Sequence, residues 1–190
     1  MLFGDLSPAG RLPVTFPRSL ADVPAFEDYA MRRRTYRYSA AEPLFPFGFG
    51  LSYTRFVYSE LTLSQAVLNA TEELSCDVSV LVTNAGHRAS DEVVQLYVRD
   101  LESSVPVPQH ELRGVERIHL ARGGAQRVSF RLSARALSLI DDTGQRLLEP
   151  GQFRVFVGGS QPDSRSVSLL GQSPLAAELA VTGATLTLPY

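Results

Sequence analysis

The sequence predicts a mainly β protein, an antiparallel β-sandwich preceded by an extended N-terminal arm and a linker. Three observations support this prediction. From Tyr53 onward, apolar and polar residues alternate with period two, which is typical of half-buried strands. Turn signals separate these runs at short, regular intervals. Residues 1–50, in contrast, are rich in proline, glycine and aromatic residues and show no regular period.

The alternation places six strands along the chain. The clearest runs are Cys76–Thr83, Glu92–Arg99, Arg127–Leu132 and Phe153–Val157. Two further runs, Tyr53–Leu63 and Leu112–Leu120, alternate less regularly but are also expected to form strands.

Turn residues and short irregular segments separate these strands. Turn signals stand at Asn84–Gly86, Arg122–Gly124, Asp141–Gly144 and Glu149–Gly151. Ser133–Leu139 is expected to form one helical turn that crosses between the sheets. Leu175–Leu188 is nearly uncharged, and the sequence leaves open whether it adds a strand or stays loosely attached.

The first fifty residues read as extended or irregular chain. Gly10–Pro17 has an extended pattern, and its prolines confine it to a sheet edge or a terminus. Such a strand has no partner within the first twenty residues, so we expect residues 1–20 to be protease-sensitive. Ala21–Arg34 is expected to hold a short helix or an irregular arm. Glu42–Ser52 has too much proline and glycine for a helix, but its five large apolar residues predict packed chain.

The composition excludes several classes of function. The 190 residues include 18 basic and 20 acidic ones, so no general attraction to nucleic acid or to an anionic membrane is expected. All basic residues are arginine, which excludes lysine Schiff bases and a P-loop lysine. A single cysteine excludes an internal disulfide and a cysteine-cluster zinc site. Neither a membrane-spanning run nor a signal-peptide pattern is visible, and the compartment stays open.

Two pairs of carboxylates are candidates for acid–base chemistry, which requires two carboxyl groups in one pocket. Asp91 and Glu92 are neighbours on a strand, so their side chains are expected to point to opposite faces. Asp141 and Asp142 lie in a turn, where aspartate is favoured for local hydrogen bonds. We therefore expect neither pair to be catalytic, and no metal-ligand pattern follows Asp141.

The other reactive residue types suggest structural roles. His87, His110 and His119 lack metal-ligand spacing and are expected to be solvated or locally bonded. Cys76 lies on the apolar face of its strand, which predicts a buried, inert thiol. The basic cluster Arg32–Arg34 would contact an anionic polymer or pair with carboxylates of a neighbouring domain, and the mild acidity of the chain favours the second interpretation.

Seven short motifs follow one another in a specific order. They are GRLPVTFP at 10–17, RTYRY at 34–38, PLFPFGFGLSYT at 43–54, VTNAG at 82–86, DEVVQLYV at 91–98, ELRG at 111–114 and EPG at 149–151. In this series the sequence resembles the C-terminal part of glycoside hydrolase family 3, the β-glucosidase and β-xylosidase family. The likeness extends from residue 3 to about residue 160 and includes the fibronectin type III-like domain of many of these enzymes.

The resemblance implies a division of the chain into four segments. Residues 1–17 would be the remnant of the end of an α/β sandwich domain, and residues 18–50 an ordered linker. Residues 51–170 would form the immunoglobulin/fibronectin type III-like sandwich, and residues 171–190 a tail of uncertain structure.

The resemblance also bears on catalysis. The family's nucleophile is an aspartate of a barrel domain, and its acid/base is a carboxylate earlier in the α/β domain. No position here matches either motif. We therefore assign no catalytic, cofactor-binding or metal-binding residue, and we expect the chain to be inactive alone.

The resemblance names the expected partners as well. They are the barrel and α/β domains of a parent glycosidase, in cis or, if the enzyme is split, in trans. The chain would then be the accessory portion of an enzyme that acts on β-linked glucosides or xylosides in carbohydrate metabolism. One alternative is the non-covalent subunit of a split β-glycosidase that completes a sheet of another chain. The other is an independent carbohydrate-binding module that stacks oligosaccharide on its aromatic side chains, Tyr36, Tyr38, Phe45, Phe47 and Phe49.

Overall fold

Eleven β-strands dominate the computed structural model, which describes residues 1–190. The strands are β1 (Phe56–Leu63), β2 (Val67–Asn69), β3 (Ser75–Asn84), β4 (Ser90–Asp100), β5 (Glu111–Leu120), β6 (Ala125–Ser133), β7 (Leu139–Ile140), β8 (Arg146–Leu148), β9 (Gly151–Gly158), β10 (Leu175–Thr182) and β11 (Leu186–Leu188). Two short helices, α1 (Thr35–Tyr38) and α2 (Ser164–Leu170), and two 3₁₀ turns, Leu20–Asp22 and Ala134–Leu137, complete the elements.

The strands form two principal sheets and one small one. The first sheet has the order β1-β3-β6, and the second has the order β2-β10-β9-β4-β5. The small sheet has the order β11-β8-β7. Every pair is antiparallel except β2 and β10, which run parallel. The predicted antiparallel β-sandwich is therefore confirmed, with one parallel pair that alternation alone does not reveal.

The core lies between the two principal sheets. Cys76, Val78, Val80 and Val82 of β3 are fully buried, whereas the residues between them are at least partly exposed. The inner face of the second sheet supplies apolar side chains from β4, β9 and β10, and together they form one cluster of 23 buried residues. The period-two pattern of the sequence thus describes the inward and outward faces of the strands correctly.

The structure resolves the segments that the sequence left open or did not predict. Leu175–Thr182 forms β10, between β2 and β9. The helical turn expected within Ser133–Leu139 is present at Ala134–Leu137. The helix α2 was not predicted, although Asp163 caps its first turn through Ser166 N, 2.5 Å away, and Gly171 ends it with φ +69°. None of the helices is long and apolar enough to cross a bilayer.

Candidate domain interface

The N-terminal arm (residues 1–17) pairs with the linker (residues 18–50). Leu12 N donates to Phe49 O at 2.9 Å, and Gly48 N donates to Leu12 O at 2.8 Å. Further along, Phe16 N donates to Phe45 O at 2.9 Å, so the two segments form an antiparallel bridge. The arm has no partner among the first twenty residues, but its partner lies about thirty residues further along the chain.

A buried ion pair joins the arm to the sandwich. The Arg11 guanidinium donates from Nη2 to Glu92 Oε2 at 2.6 Å and from Nε to Gly159 O at 3.2 Å. The Tyr58 hydroxyl donates to the other carboxylate oxygen of Glu92, also at 2.6 Å. Glu92 is only 2% exposed. Burial raises the pKa of Glu92, while Arg11 and Tyr58 oppose the rise, and burial likewise raises the pKa of Tyr58.

Sequence reasoning missed this ion pair. Glu92 was compared only with its neighbour Asp91. The sequence does contain a signal for it. Glu92 lies two residues before Val94 and four before Leu96 on β4, so its side chain points to the same buried face as theirs. A carboxylate in such a position needs a cationic or hydrogen-bonding partner, because an unpaired buried charge is strongly destabilising.

The side chains of the two carboxylate pairs are arranged as the strand and turn patterns predict. Asp91 lies on the outer face of β4, where Arg117 Nε and Nη2 donate to it at 2.8 and 2.6 Å and His119 Nδ1 lies 2.6 Å away. The hydrogen bonds from His119 and Arg117 lower the pKa of Asp91. Asp141 accepts from Thr143 and Gln145 within its turn, as turn chemistry predicts. Neither pair places two carboxylates in one pocket.

The histidines and the cysteine differ in their environments. His87 and His119 are exposed, and Cys76 is fully buried, as predicted. The expectation of a solvated or locally bonded residue is wrong for His110, which is 7% exposed and whose Nε2 has no hydrogen-bond partner. The reason is that the linker residue Tyr36 packs against it with a ring-centroid separation of 5.7 Å. Burial lowers the pKa of His110.

Aromatic stacking attaches the linker to the sandwich. The rings of Tyr36 and Phe47 stack at 4.2 Å, and Tyr36 meets Tyr97 of β4 edge-on at 6.2 Å. Gln95, on the same strand as Tyr97, also binds the linker, because its Nε2 donates to Gly48 O at 3.0 Å. The same Nε2 donates to Gly159 O at 2.9 Å. Phe49 is buried and Phe47 stacks on Tyr36, so the middle of the segment 42–52 is packed as the sequence predicts. Its remaining large apolar side chains, Leu44, Phe45 and Leu51, are exposed. These rings are occupied by internal packing and are not a flat exposed platform for sugar.

The arginines of the basic cluster Arg32–Arg34 have different environments. Arg34 donates to the carbonyls of Ala25 and Ala30 at 3.1 and 3.2 Å, so its guanidinium contacts the linker itself. The expected pairing of this cluster with carboxylates of a neighbouring domain stays a prediction. Outside the cluster, Arg37 pairs with Glu111 of β5 at 3.1 Å. No hydrogen bond or ion pair within residues 1–190 involves the side chains of Arg32 and Arg33.

Exposed apolar side chains are concentrated in one part of the chain. Of 21 large apolar side chains that are exposed, 15 belong to residues 1–53. Phe3, Phe26 and Tyr29 are 95%, 86% and 85% exposed. A groove of about 430 Å³ between arm and linker adds further apolar lining from Val14 and Met31. We call the exposed apolar side chains of residues 1–53, together with this groove, the N-terminal apolar surface. Large exposed apolar surfaces mark sites of protein contact.

One cleft of about 300 Å³ brings two carboxylates, Asp100 and Glu111, near three guanidiniums. Glu111 is paired with Arg37 at 3.1 Å and with Arg113 at 2.8 Å. Asp100 accepts a hydrogen bond from Glu102 N at 3.0 Å, and burial raises its pKa. Because Glu111 is already paired with two guanidiniums, this arrangement suits electrostatic binding better than proton transfer.

Two separate parts of the chain match known domain families. Residues 1–53 match the glycosyl hydrolase family 3 C-terminal domain, and residues 92–161 match a fibronectin type III-like domain. Over 178 residues the chain is 40% identical to a beta-xylosidase of Formosa agariphila, covering 89% of this chain and 24% of that protein. Over 170 residues it is 38% identical to the periplasmic beta-glucosidase of Salmonella typhimurium, covering 83% of this chain and 22% of that protein.

A solved structure agrees with the sequence comparisons. The structure of beta-glucosidase 3B from Thermotoga neapolitana in complex with alpha-D-glucose superposes with a TM-score of 0.80 at 29% identity, over 98% of this chain and 26% of that one. The chain therefore spans only about a quarter of the length of the relatives that it matches.

Proposed function

Because this chain corresponds to the C-terminal part of a glycoside hydrolase family 3 enzyme, with its fibronectin type III-like domain, we propose that it supports the catalytic domains of a β-glycosidase and does not hydrolyse glycosides alone. The observation that carries this proposal is the N-terminal apolar surface. It lies within residues 1–53, the segment that matches the family's C-terminal domain. Such a surface is what a domain presents to a neighbour that covers it.

The sandwich acts in this proposal as a rigid support. The ion pair Arg11–Glu92 and the stacked rings of Tyr36 and Phe47 fix the arm and linker on the sandwich. The apolar side chains on the opposite side of the arm and linker then cover the α/β domain of the parent enzyme. The free guanidiniums of Arg32 and Arg33 supply positive charge at the rim of this contact. The same surface serves whether the partner domains belong to the same chain or to a separate one.

The substrate follows from the relatives and not from the geometry of this chain. The two relatives named above are a beta-xylosidase and a beta-glucosidase. We therefore propose β-linked xylosides or glucosides as the substrates of the parent enzyme. Both catalytic carboxylates would belong to the barrel and α/β domains. The segmentation into arm (1–17), linker (18–50), sandwich (51–170) and tail (171–190) is part of this proposal.

A direct assay tests the absence of independent catalysis. The purified chain is incubated with p-nitrophenyl β-glucoside and p-nitrophenyl β-xyloside, and we expect no release of nitrophenol above a mock purification from cells that lack the gene. Substitution of the cleft carboxylates, Asp100→Asn with Glu111→Gln, serves as the control for any turnover observed. Turnover that co-purifies with the chain and disappears in the double variant would overturn the proposal.

A further inference from the structure

The cleft that contains Arg113 lies on a part of the sandwich that the N-terminal apolar surface does not use. Its walls come from the start of β5, the 3₁₀ turn at residues 134–137, the strands β7 and β8, and the linker residue Arg37. Its volume is about 300 Å³, which is at the lower end of the range for sites that hold small molecules.

Two buried donors in this cleft lack acceptors. Arg113 Nε and Arg146 Nε are both buried, and neither has a hydrogen-bond partner. Native proteins rarely leave such donors without an acceptor. The other three unpartnered atoms of this kind, Thr15 Oγ1, His110 Nε2 and Gln161 Oε1, line a separate cavity of about 170 Å³. The chain itself thus leaves two guanidinium donors in the wall of the cleft unsatisfied.

The charges of the cleft do not balance. Arg37 and Arg113 share the single carboxylate of Glu111. Arg146 donates to Ser138 Oγ at 3.0 Å and stacks on the Tyr190 ring at 5.8 Å, but it forms no ion pair. Burial lowers the pKa of Arg113, and the nearby Arg37 and Arg146 add to the effect of burial, while Glu111 opposes it. Among the residues that line the cleft, three guanidiniums face two carboxylates, which leaves one positive charge over. Glu102 and Glu149 act on Asp100 from outside this lining.

From these contacts we propose that the cleft binds the carboxylate of a small organic monoanion. The planar guanidinium offers two parallel donors that match the two oxygens of a carboxylate. One negative charge would neutralise the cleft, whereas a phosphate dianion would overcompensate. The apolar side chains of Val98, Leu137 and Phe153 at the cleft provide contact for the carbon frame of the ligand. This site is separate from the proposed support function, because Arg37 is the one lining residue that the cleft shares with the groove of the N-terminal apolar surface.

Titration of the full chain with matched probes tests the site. Isothermal calorimetry compares glucuronate with glucose, which has the same ring but no carboxylate, and with inorganic phosphate. We expect glucuronate to bind at millimolar concentration or below, about tenfold or more tightly than glucose, and more tightly than phosphate. No binding of glucuronate, equal binding of glucose, or tighter binding of phosphate would each overturn the proposal.

Variants locate the binding. Arg146→Gln should weaken glucuronate binding about tenfold, and Arg113→Gln should do the same if the first variant does not fold. Arg127→Gln is the matched control, because Arg127 pairs with Glu60 on the other principal sheet. Loss of binding in the cleft variants with retention in the control supports the site. An equal effect in all variants, or none in any, contradicts it.

Discussion

Three buried polar side chains, Glu92, Gln95 and His110, lie where the arm and linker cover the sandwich. Glu92 and Gln95 have complete partners, in Arg11 and Tyr58 for the first and in backbone carbonyls for the second. His110 is different, because its buried Nε2 has no partner. Protonation of this buried imidazole is therefore unfavourable.

His110 should make the stability of the chain depend on pH. Its pKa in the folded chain is lowered from the ordinary value of 6.5, first by burial and then by Arg99, although Gln161 and Asp163 oppose this. The unfolded chain therefore takes up the proton first, and stability present above pH 6.5 is lost as the pH falls toward the folded pKa. We expect the unfolding free energy to drop by up to about 1.4 kcal/mol per pH unit in this window.

Chemical denaturation of the wild type and of His110→Gln between pH 7 and pH 5 measures this effect. The difference between the two proteins isolates His110 from Glu92, whose raised pKa acts in the opposite direction. His87→Gln, the same substitution at an exposed position, serves as the matched control. Parallel curves for the wild type and His110→Gln would contradict the prediction.

These buried groups also show where sequence reasoning reaches its limit. The alternation of β4 is sufficient to place Glu92 on the inner face, because the period is set by the backbone. The partner Arg11, however, is 81 positions away in a segment without periodicity. The burial of His110 depends on a linker ring that packs over it, and nothing local to residue 110 indicates this.

The pairing of the arm with the linker depends on a close approach of their two backbones. A Cβ added at Gly50 would collide with the carbonyl oxygen of Gly10 and would come within 2.8 Å of Arg11 Nη1. Since a backbone atom cannot rotate aside as a side chain can, glycine is required at position 50. Gly10 has open space around its own Cβ position.

Gly50→Ala should therefore detach residues 10–12 from the linker, whereas Gly10→Ala should not. Overpacking costs about 1–3 kcal/mol, so local opening should increase about tenfold or more. Limited trypsin digestion followed by mass spectrometry reports cleavage after Arg11, whose side chain is 11% exposed in the intact chain. Cleavage after Arg18, which is 46% exposed, provides an internal reference. Equal protection of Arg11 in both variants would contradict the prediction.

The long strands could be predicted from the sequence, but the short ones could not. In β3 apolar residues alternate over eight positions, Cys76–Thr83, and in β9 over the shorter run Phe153–Val157, which distinguishes a strand from other structure. Strands β2, β7 and β8 have two or three residues each, too few for a period to be visible. In β10 small and apolar residues occupy both faces, so the pattern did not distinguish a strand from loose chain.

Across the whole molecule, exposed apolar side chains are unevenly distributed between the sandwich and residues 1–53. The sandwich has a closed core and a mostly polar exterior, whereas residues 1–53 carry most of the exposed large apolar side chains. This asymmetry is what the proposed contact with an α/β domain requires. It also implies that the isolated chain tends to associate with itself through the N-terminal apolar surface.

A triple variant tests that implication. Phe3→Ser, Phe26→Ser and Tyr29→Ser together should reduce self-association and the binding of an apolar dye. Because all three side chains are at least 85% exposed, each substitution should change stability by no more than about 0.5 kcal/mol. Analytical ultracentrifugation and thermal unfolding measure the two effects. The control Phe49→Ser removes a buried ring and should instead destabilise the chain by about 3 kcal/mol or more. Unchanged association in the triple variant would count against the proposed interface.

The position of β10 between β2 and β9 has a consequence for biosynthesis. Strand β2 pairs only with β10, so residues 67–69 have no sheet neighbour until residues 175–182 have been translated. A nascent chain on the ribosome can form the hairpin of β4 and β5, but the edge of β9 that later receives β10 stays open. Closure of the second sheet is therefore a late event, one that follows the emergence of this strand from the exit tunnel.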